Sequence, residues 1–174
     1  LKGKTLGLVG LGHIGSLVAR VGKAFDMNLI GWSQNMTAEL AASCGATLVD
    51  KDTLFHDSDI VTIHLRLSGR TRGLVGAHEL GLMKSTAYMI NISRGPIIDE
   101  AALIDVLQRK AIGGAGLDTF DVEPLPKDHP FLNLSNTVIA PHQGYVTEEG
   151  YRAFYAGVVE DINGLASGEP IRVI

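Results

Sequence analysis

Two hydrophobic periods alternate along the chain. Seven short apolar stretches, Thr5 to Val9, Asn28 to Trp32, Ala46 to Val49, Ile60 to Leu65, Ala87 to Ile92, Ile112 to Leu117 and Thr137 to Ala140, predict strands. The run at 60–65 is of the kind buried on both faces of a sheet. Between the strands, apolar positions at helical spacing predict helices over Ser16 to Phe25, Thr37 to Ser43, Lys51 to His56, Gly76 to Met83 and Asp99 to Arg109. Thr37 is a candidate N-cap and Gly45 a candidate C-cap of the second of these. Over 99–109, Asp99 and Glu100 favour the N-terminus, and Ala102, Leu103, Val106 and Leu107 form one face. A long terminal helix, Thr147 to Ser167, carries Tyr151, Phe154 and Tyr155 on one face. Strand and helix in alternation predict a parallel sheet.

The first strand runs directly into Gly10-Leu11-Gly12-His13-Ile14-Gly15, a G-x-G-x-x-G turn that opens the first helix. In a phosphate-binding turn the first glycine allows the tight bend, the second lets backbone approach a pyrophosphate, and the third lets helix pack on strand. The amides and positive dipole end of the helix would then hold the phosphates. With this turn, the alternation predicts an α/β fold, a Rossmann-type doubly wound parallel sheet of about seven strands with helices on both faces. One such dinucleotide-binding domain accounts for residues 1–174. No internal repeat, low-complexity tract or linker interrupts it.

Composition narrows the partners. Fifteen basic against 19 acidic residues, net charge -4, give no electrostatic case for nucleic acid or an anionic membrane. No apolar run approaches the length of a membrane span and no leader precedes the first strand, which, with a single cysteine, Cys44, favours a reducing, cytoplasmic setting. The chain opens a few residues ahead of its first strand, as a domain cut at its boundary would. Glycine is 21 of 174 residues, about 12% against a usual value of about 7%, implying many close backbone approaches. Gly113, Gly114 and Gly116 in the sixth strand suggest backbone or ligand very near.

Ligands of open parallel sheets lie past the carboxyl ends of the strands. Arg94, Asp118, Glu123 and His142 all fall there. Each has a bland reading: Arg94 pairing near Asp99, Asp118 capping a turn, Glu123 solvated, His142 a satisfied hydrogen-bonding histidine. Together they suit hydride chemistry at a carbon bearing oxygen. Histidine titrates near neutrality and can carry the proton. A carboxylate such as Glu123 would orient it and raise its pKa, and Arg94 would pair bidentately with a substrate carboxylate.

Four stretches, Gly7 to Gly15 (GLVGLGHIG), Asn91 to Asp99 (NISRGPIID), Gly116 to Pro124 (GLDTFDVEP) and Ala140 to Thr147 (APHQGYVT), make the chain resemble the NAD(P)-dependent D-isomer-specific 2-hydroxyacid dehydrogenases over nearly its whole length. The resemblance implies that Arg94 binds the substrate carboxylate and carbonyl oxygen, that His142 is the general acid/base and that Glu123 pairs with it. It implies reversible reduction of a 2-oxo acid to a D-2-hydroxy acid, with a small-molecule substrate and a homodimer; Gly69 to Met83, read as exposed, is a candidate dimer surface. The cofactor contacts expected are Gly10, Gly12, His13, Ile14, Gly15, Ser33, Gln34, Leu65, Arg66, Thr71, Ile92, Ser93, Asp118 and Gly144, and no metal is expected. The family's second, substrate-closing domain has no counterpart here, apart from a possible contribution of the C-terminal helix, so these 174 residues are expected to bind nucleotide and turn over poorly.

Two departures bear on the cofactor. The second strand ends in Trp32-Ser33-Gln34-Asn35, without the acid that usually holds the ribose 2′-hydroxyl, so both NAD and NADP stay admissible. Arg66 stands where the family typically has proline or a small apolar residue; with Arg70 and Arg72 it forms either a solvated face or part of the adenosine site. A nucleotide-sensing regulator on the same fold, without turnover, is the rival function.

Overall fold

Strand β1 (Thr5–Val9) is buried from Leu6 onward, and the glycine turn carries it into helix α1 (His13–Ala24). Then follow β2 (Asn28–Trp32), α2 (Ala38–Ser43), β3 (Thr47–Leu48), α3 (Lys51–Asp57), β4 (Ile60–Ile63), α4 (Ala77–Leu82), β5 (Tyr88–Asn91), α5 (Glu100–Gln108), β6 (Gly114–Leu117), β7 (Thr137–Ile139) and α6 (Glu148–Ser167). Single 3-10 turns occupy Gly95–Ile97 and Pro130–Asn133. The computed structural model describes residues 1–173. The chain divides into two compact units, Leu1–Pro141 and His142–Ile174.

In the first unit the seven strands pair in parallel in the order β3-β2-β1-β4-β5-β6-β7. The order reverses at β1, which lies between β2 and β4, and this switch point is where such sheets open a ligand crevice. Two cores flank the sheet. Leu6, Leu8 and Leu29 pack with Ala19 of α1 and Ala41 of α2. Val61, Ile63 and Met89 pack with Leu54 and Phe55 of α3, Leu80 of α4 and Leu103 and Leu107 of α5. Helices therefore cover both faces, as the alternation predicts.

Local chemistry accounts for most boundaries. Thr37, Asp50 and Asp99 cap α2, α3 and α5, their side chains accepting the N–H of Leu40, Thr53 and Ala102. Helix α1 begins at His13, three residues ahead of the predicted start, because Gly12 is already its N-cap. Strand β4 stops at Ile63, short of Leu65, because its partner β1 ends at Val9, where Gly10 turns away with φ +99. Edge strand β3 shrinks to two residues, pairing only with Ile30 and Gly31. The glycines of the sixth strand answer to backbone: a Cβ at Gly113 would lie 2.8 Å from Thr86 O, and one at Gly114 2.5 Å from Asn136 O.

The stretch 69–83 is exposed only in part. Val75, Leu80 and Met83 sit in the core, and Glu79 is buried with its carboxylate on Lys51 Nζ at 2.6 Å and on the Gly76 N–H at 2.8 Å. Leu80 of α4 and the flanking Val75 and Met83 supply this burial, while Ala77, His78 and Gly81 stay exposed.

In the second unit Thr147 caps α6 by accepting the Gly150 N–H at 3.0 Å. Tyr151 and Tyr155 stack with ring centroids 5.8 Å apart, Phe154 meets Tyr155 edge-on, and all three are exposed. No helix among the described residues is long and apolar enough to cross a membrane.

Candidate functional site

The glycine turn has the shape its sequence requires. Gly10 holds a positive φ that a side chain would strain. A Cβ at Gly15 would lie 2.2 Å from Gly10 O, so helix and turn touch backbone to backbone. At Gly12 a Cβ would meet nothing within 4 Å, so its backbone faces open space. No side chain caps α1 and no acid lies in its first turn, which leaves the first amides and the dipole available to an anion. His13 and Ile14 are exposed there. A pyrophosphate fits this turn on its own geometry.

Two clefts meet at Leu65 and Arg66, the residues just past β4. One, of about 360 Å³, is lined by Ile14, Ile63, His64, Leu65, Arg66, Leu67, Ile92, Ser93 and Arg94. The other, of about 310 Å³, is lined by Trp32, Ser33, Gln34, Asn35, Leu65, Arg66, Ser68, Arg70, Thr71 and Leu74. Together they run from Arg94 beyond β5, past the start of α1, to the end of β2. No carboxylate lines either one. An extended, anionic dinucleotide matches a trough of this composition.

Hydrogen bonds between the loops hold Arg94 in place. The buried Asn91 carboxamide accepts the Ser93 N–H and donates to Arg94 O, both at 3.0 Å. The Ser93 hydroxyl donates to Leu65 O, tying the loop after β5 to the loop after β4. The Arg94 guanidinium donates to Ser93 O at 2.6 Å and is otherwise exposed toward the cleft it lines. Asp99, which Arg94 could have paired with, instead caps α5.

The loop after β6 is fastened to the same framework. Asp118 is buried, and its N–H donates to Asn91 O at 3.0 Å. Gly95 lies against Phe120 so closely that a Cβ would fall 2.0 Å from the Phe120 carbonyl carbon. Three residues on, Glu123 accepts the Phe120 N–H at 2.9 Å. His142 and Gly144 belong to the second unit, where His142 has φ +52 and meets Tyr145 edge-on with centroids 6.3 Å apart.

His64 lines the first cleft, although the apolar run at 60–65 predicts it to lie inside a strand. Because β4 ends at Ile63, His64 is the first residue beyond a strand carboxyl end, the position that marks site residues elsewhere in this sheet. Burial pushes its imidazole down from 6.5 to about 4, so it is neutral, and Nε2 shares a hydrogen bond with Thr62 Oγ1 at 3.1 Å.

A doubly wound sheet with an open glycine turn at its switch point defines a dinucleotide-binding domain. Residues 1–144 match the family model described as D-isomer specific 2-hydroxyacid dehydrogenase, NAD binding domain. The chain belongs to this family. It is 44% identical over 170 residues to a D-3-phosphoglycerate dehydrogenase of Methanocaldococcus jannaschii, covering 97% of this chain and 32% of that protein. It is 41% identical over 169 residues to a glyoxylate reductase of Aeropyrum pernix, covering 97% of this chain and 50% of that protein. Among solved structures it superposes on a putative D-3-phosphoglycerate dehydrogenase oxidoreductase from Ralstonia solanacearum with a TM-score of 0.92 and 36% identity, covering 99% of this chain and 51% of that one. The chain thus spans between about a third and a half of the length of these relatives.

Proposed function

We propose that this chain is the cofactor domain of an oxidoreductase that reversibly reduces a 2-oxo acid to a D-2-hydroxy acid with a nicotinamide dinucleotide. The single observation that carries the reading is the trough that joins the glycine turn to Arg94 with no carboxylate along it. The nicotinamide supplies hydride when bound. The chain's own residues do the rest. Amides of 12–15 bind pyrophosphate, and Leu65, Ile92 and Ser93 shape the wall that orients the nucleotide. Arg94 pairs with the substrate carboxylate and polarises the carbonyl oxygen. His142 delivers the proton to that oxygen, and Glu123 is the carboxylate that orients the imidazole. Family membership supports these two roles through the residues GLDTFDVEP and APHQGYVT. The relatives' names support small 2-oxo acids such as glyoxylate or a phosphorylated analogue as substrates.

The test is steady-state kinetics of His142→Gln and Arg94→Gln in the full-length protein, alongside dinucleotide titration. His142→Gln is expected to lower kcat by about 10²- to 10⁴-fold with dinucleotide affinity retained. Arg94→Gln is expected to raise KM for the oxo acid. Turnover indifferent to both changes would sink the enzyme reading and favour a nucleotide sensor.

A further inference from the structure

The trough accepts either nicotinamide dinucleotide through its pyrophosphate, so the choice between them falls to the end of β2. We infer that this chain selects the 2′-phosphorylated dinucleotide, and that Arg66 and Arg70, carried on the loop after β4, hold the 2′-phosphate. The inference rests on the dinucleotide reading proposed above and adds to it the identity of the nucleotide and the residues that choose it.

Selection of a free ribose diol depends on an acid near the end of the second strand, which accepts the hydroxyl and repels a phosphate. Here the strand ends in Ser33, Gln34 and Asn35, all neutral, with Ser33 half-buried at the cleft wall. The same cleft is lined by Arg66 and Arg70 together with Ser33, Ser68 and Thr71. Two permanent cations and the hydroxyls of Ser33 and Ser68 suit a phosphate dianion, whereas a ribose diol would leave both cations without a partner.

The two arginines are available for this. Arg109, Arg152 and Arg172 each hold a carboxylate of their own helix or neighbouring turn. Among the described residues neither Arg66 nor Arg70 has such a partner. Lys51, whose ammonium lies 5.8 Å from the centroid of the Trp32 ring, is engaged by Glu79 at 2.6 Å and does not compete for the role.

Their loop is also preorganised. Thr71 Oγ1 donates to Arg66 O at 2.7 Å and accepts the Ser68 N–H at 2.8 Å, and the N–H groups of Thr71 and Arg72 both donate to Ser68 O. The turn that carries Arg66 and Arg70 is closed by its own hydrogen bonds, so less ordering is needed on binding. Both side chains are exposed, so replacing them leaves the core intact.

Trp32 is the only tryptophan in the sequence and lines this cleft, so its emission reports occupancy directly. The experiment titrates the chain with NADPH, NADH, adenosine 2′,5′-bisphosphate and 5′-AMP, and repeats this with Arg66→Ala, Arg70→Ala and the double variant. NADPH is expected to bind at least about tenfold tighter than NADH, and the bisphosphate tighter than AMP by a similar factor. Both ratios are expected to fall toward one in the double variant, and to fall in the parent chain as salt is raised. Equal or tighter binding of NADH, or a preference for NADPH that survives in the double variant, overturns the assignment while leaving the dinucleotide reading intact. Failure of both dinucleotides to bind overturns the dinucleotide reading as well, and is distinguished by the absence of any quenching at Trp32.

Discussion

His64 shows how the fold changes a residue's chemistry without any charged neighbour. Desolvation alone keeps its imidazole neutral down to about pH 4, against 6.5 for an ordinary histidine. Between those values the unfolded chain binds a proton that the folded chain refuses, so stability falls as pH drops from 6.5 toward 4. His64→Gln keeps a polar group beside Thr62 and removes the titration. Its unfolding free energy, measured by denaturant titration across that pH range, is expected to lose this component of the acid dependence. An unchanged slope in the variant would show that other groups carry it. The neutrality of His64 also means that the positive charge along the trough comes from Arg66, Arg70 and Arg94. Arg94 was visible in the sequence by its place past a strand end, whereas Arg66 and Arg70 read as loop arginines, usually solvated, until the fold set both in the cleft at the end of β2.

The glycine turn and α1 behave as one element, in which the three glycines have separable jobs. Gly15 is a packing position, because its absent side chain lets the helix touch Gly10 O. Gly12 is not a packing position, because the space above it is open and its φ of -73 suits any residue, and we propose that its role is to admit the pyrophosphate. Gly15→Ala is therefore expected to destabilise the fold by about 1–3 kcal/mol, since backbone rather than a flexible side chain must move. Gly12→Ala is expected to leave stability within about 0.5 kcal/mol and still weaken dinucleotide binding, because the methyl group takes the room a pyrophosphate needs. Thermal unfolding and nucleotide titration on the two variants check this; equal effects of both on stability would refute the division. The motif itself was legible, since spacing and strand-turn-helix context define it. The pairing of Gly95 with Phe120, which joins the loops bearing Arg94 and Glu123, was not legible, because it is a contact between elements distant in sequence.

For the molecule as a whole, the sheet order gathers the loops after β1, β2, β4, β5 and β6 of the first unit along one edge, and the trough follows from that order. The relatives that match are two to three times as long as this chain. We expect the 174-residue chain to bind dinucleotide while oxidising NADH or NADPH with glyoxylate or hydroxypyruvate only weakly, because a trough open to water neither encloses a substrate nor strengthens the Arg94 pairing. Absorbance assays of dinucleotide oxidation test this, and rates typical of a working dehydrogenase, with kcat of about 1–10³ s⁻¹, would refute it.

The sequence by itself determined the class of fold, because strand-length apolar runs and helix caps are local features: Thr37 and Asp99 cap the helices they precede, and the alternation of periods admits only a parallel, helix-covered sheet. It also marked where a pyrophosphate is expected, since a G-x-G-x-x-G between strand and helix leaves backbone amides open to an anion. Tertiary structure alone decided three things. It ended β4 at Ile63 and so placed His64 in the cleft, because strand length depends on the partner strand. It buried Leu80 of α4 with the flanking Val75 and Met83, because which side of a short helix meets the core depends on neighbours. And it set Arg66 and Arg70 beside Ser33, about thirty residues away in sequence, because pockets are made by elements that meet in space.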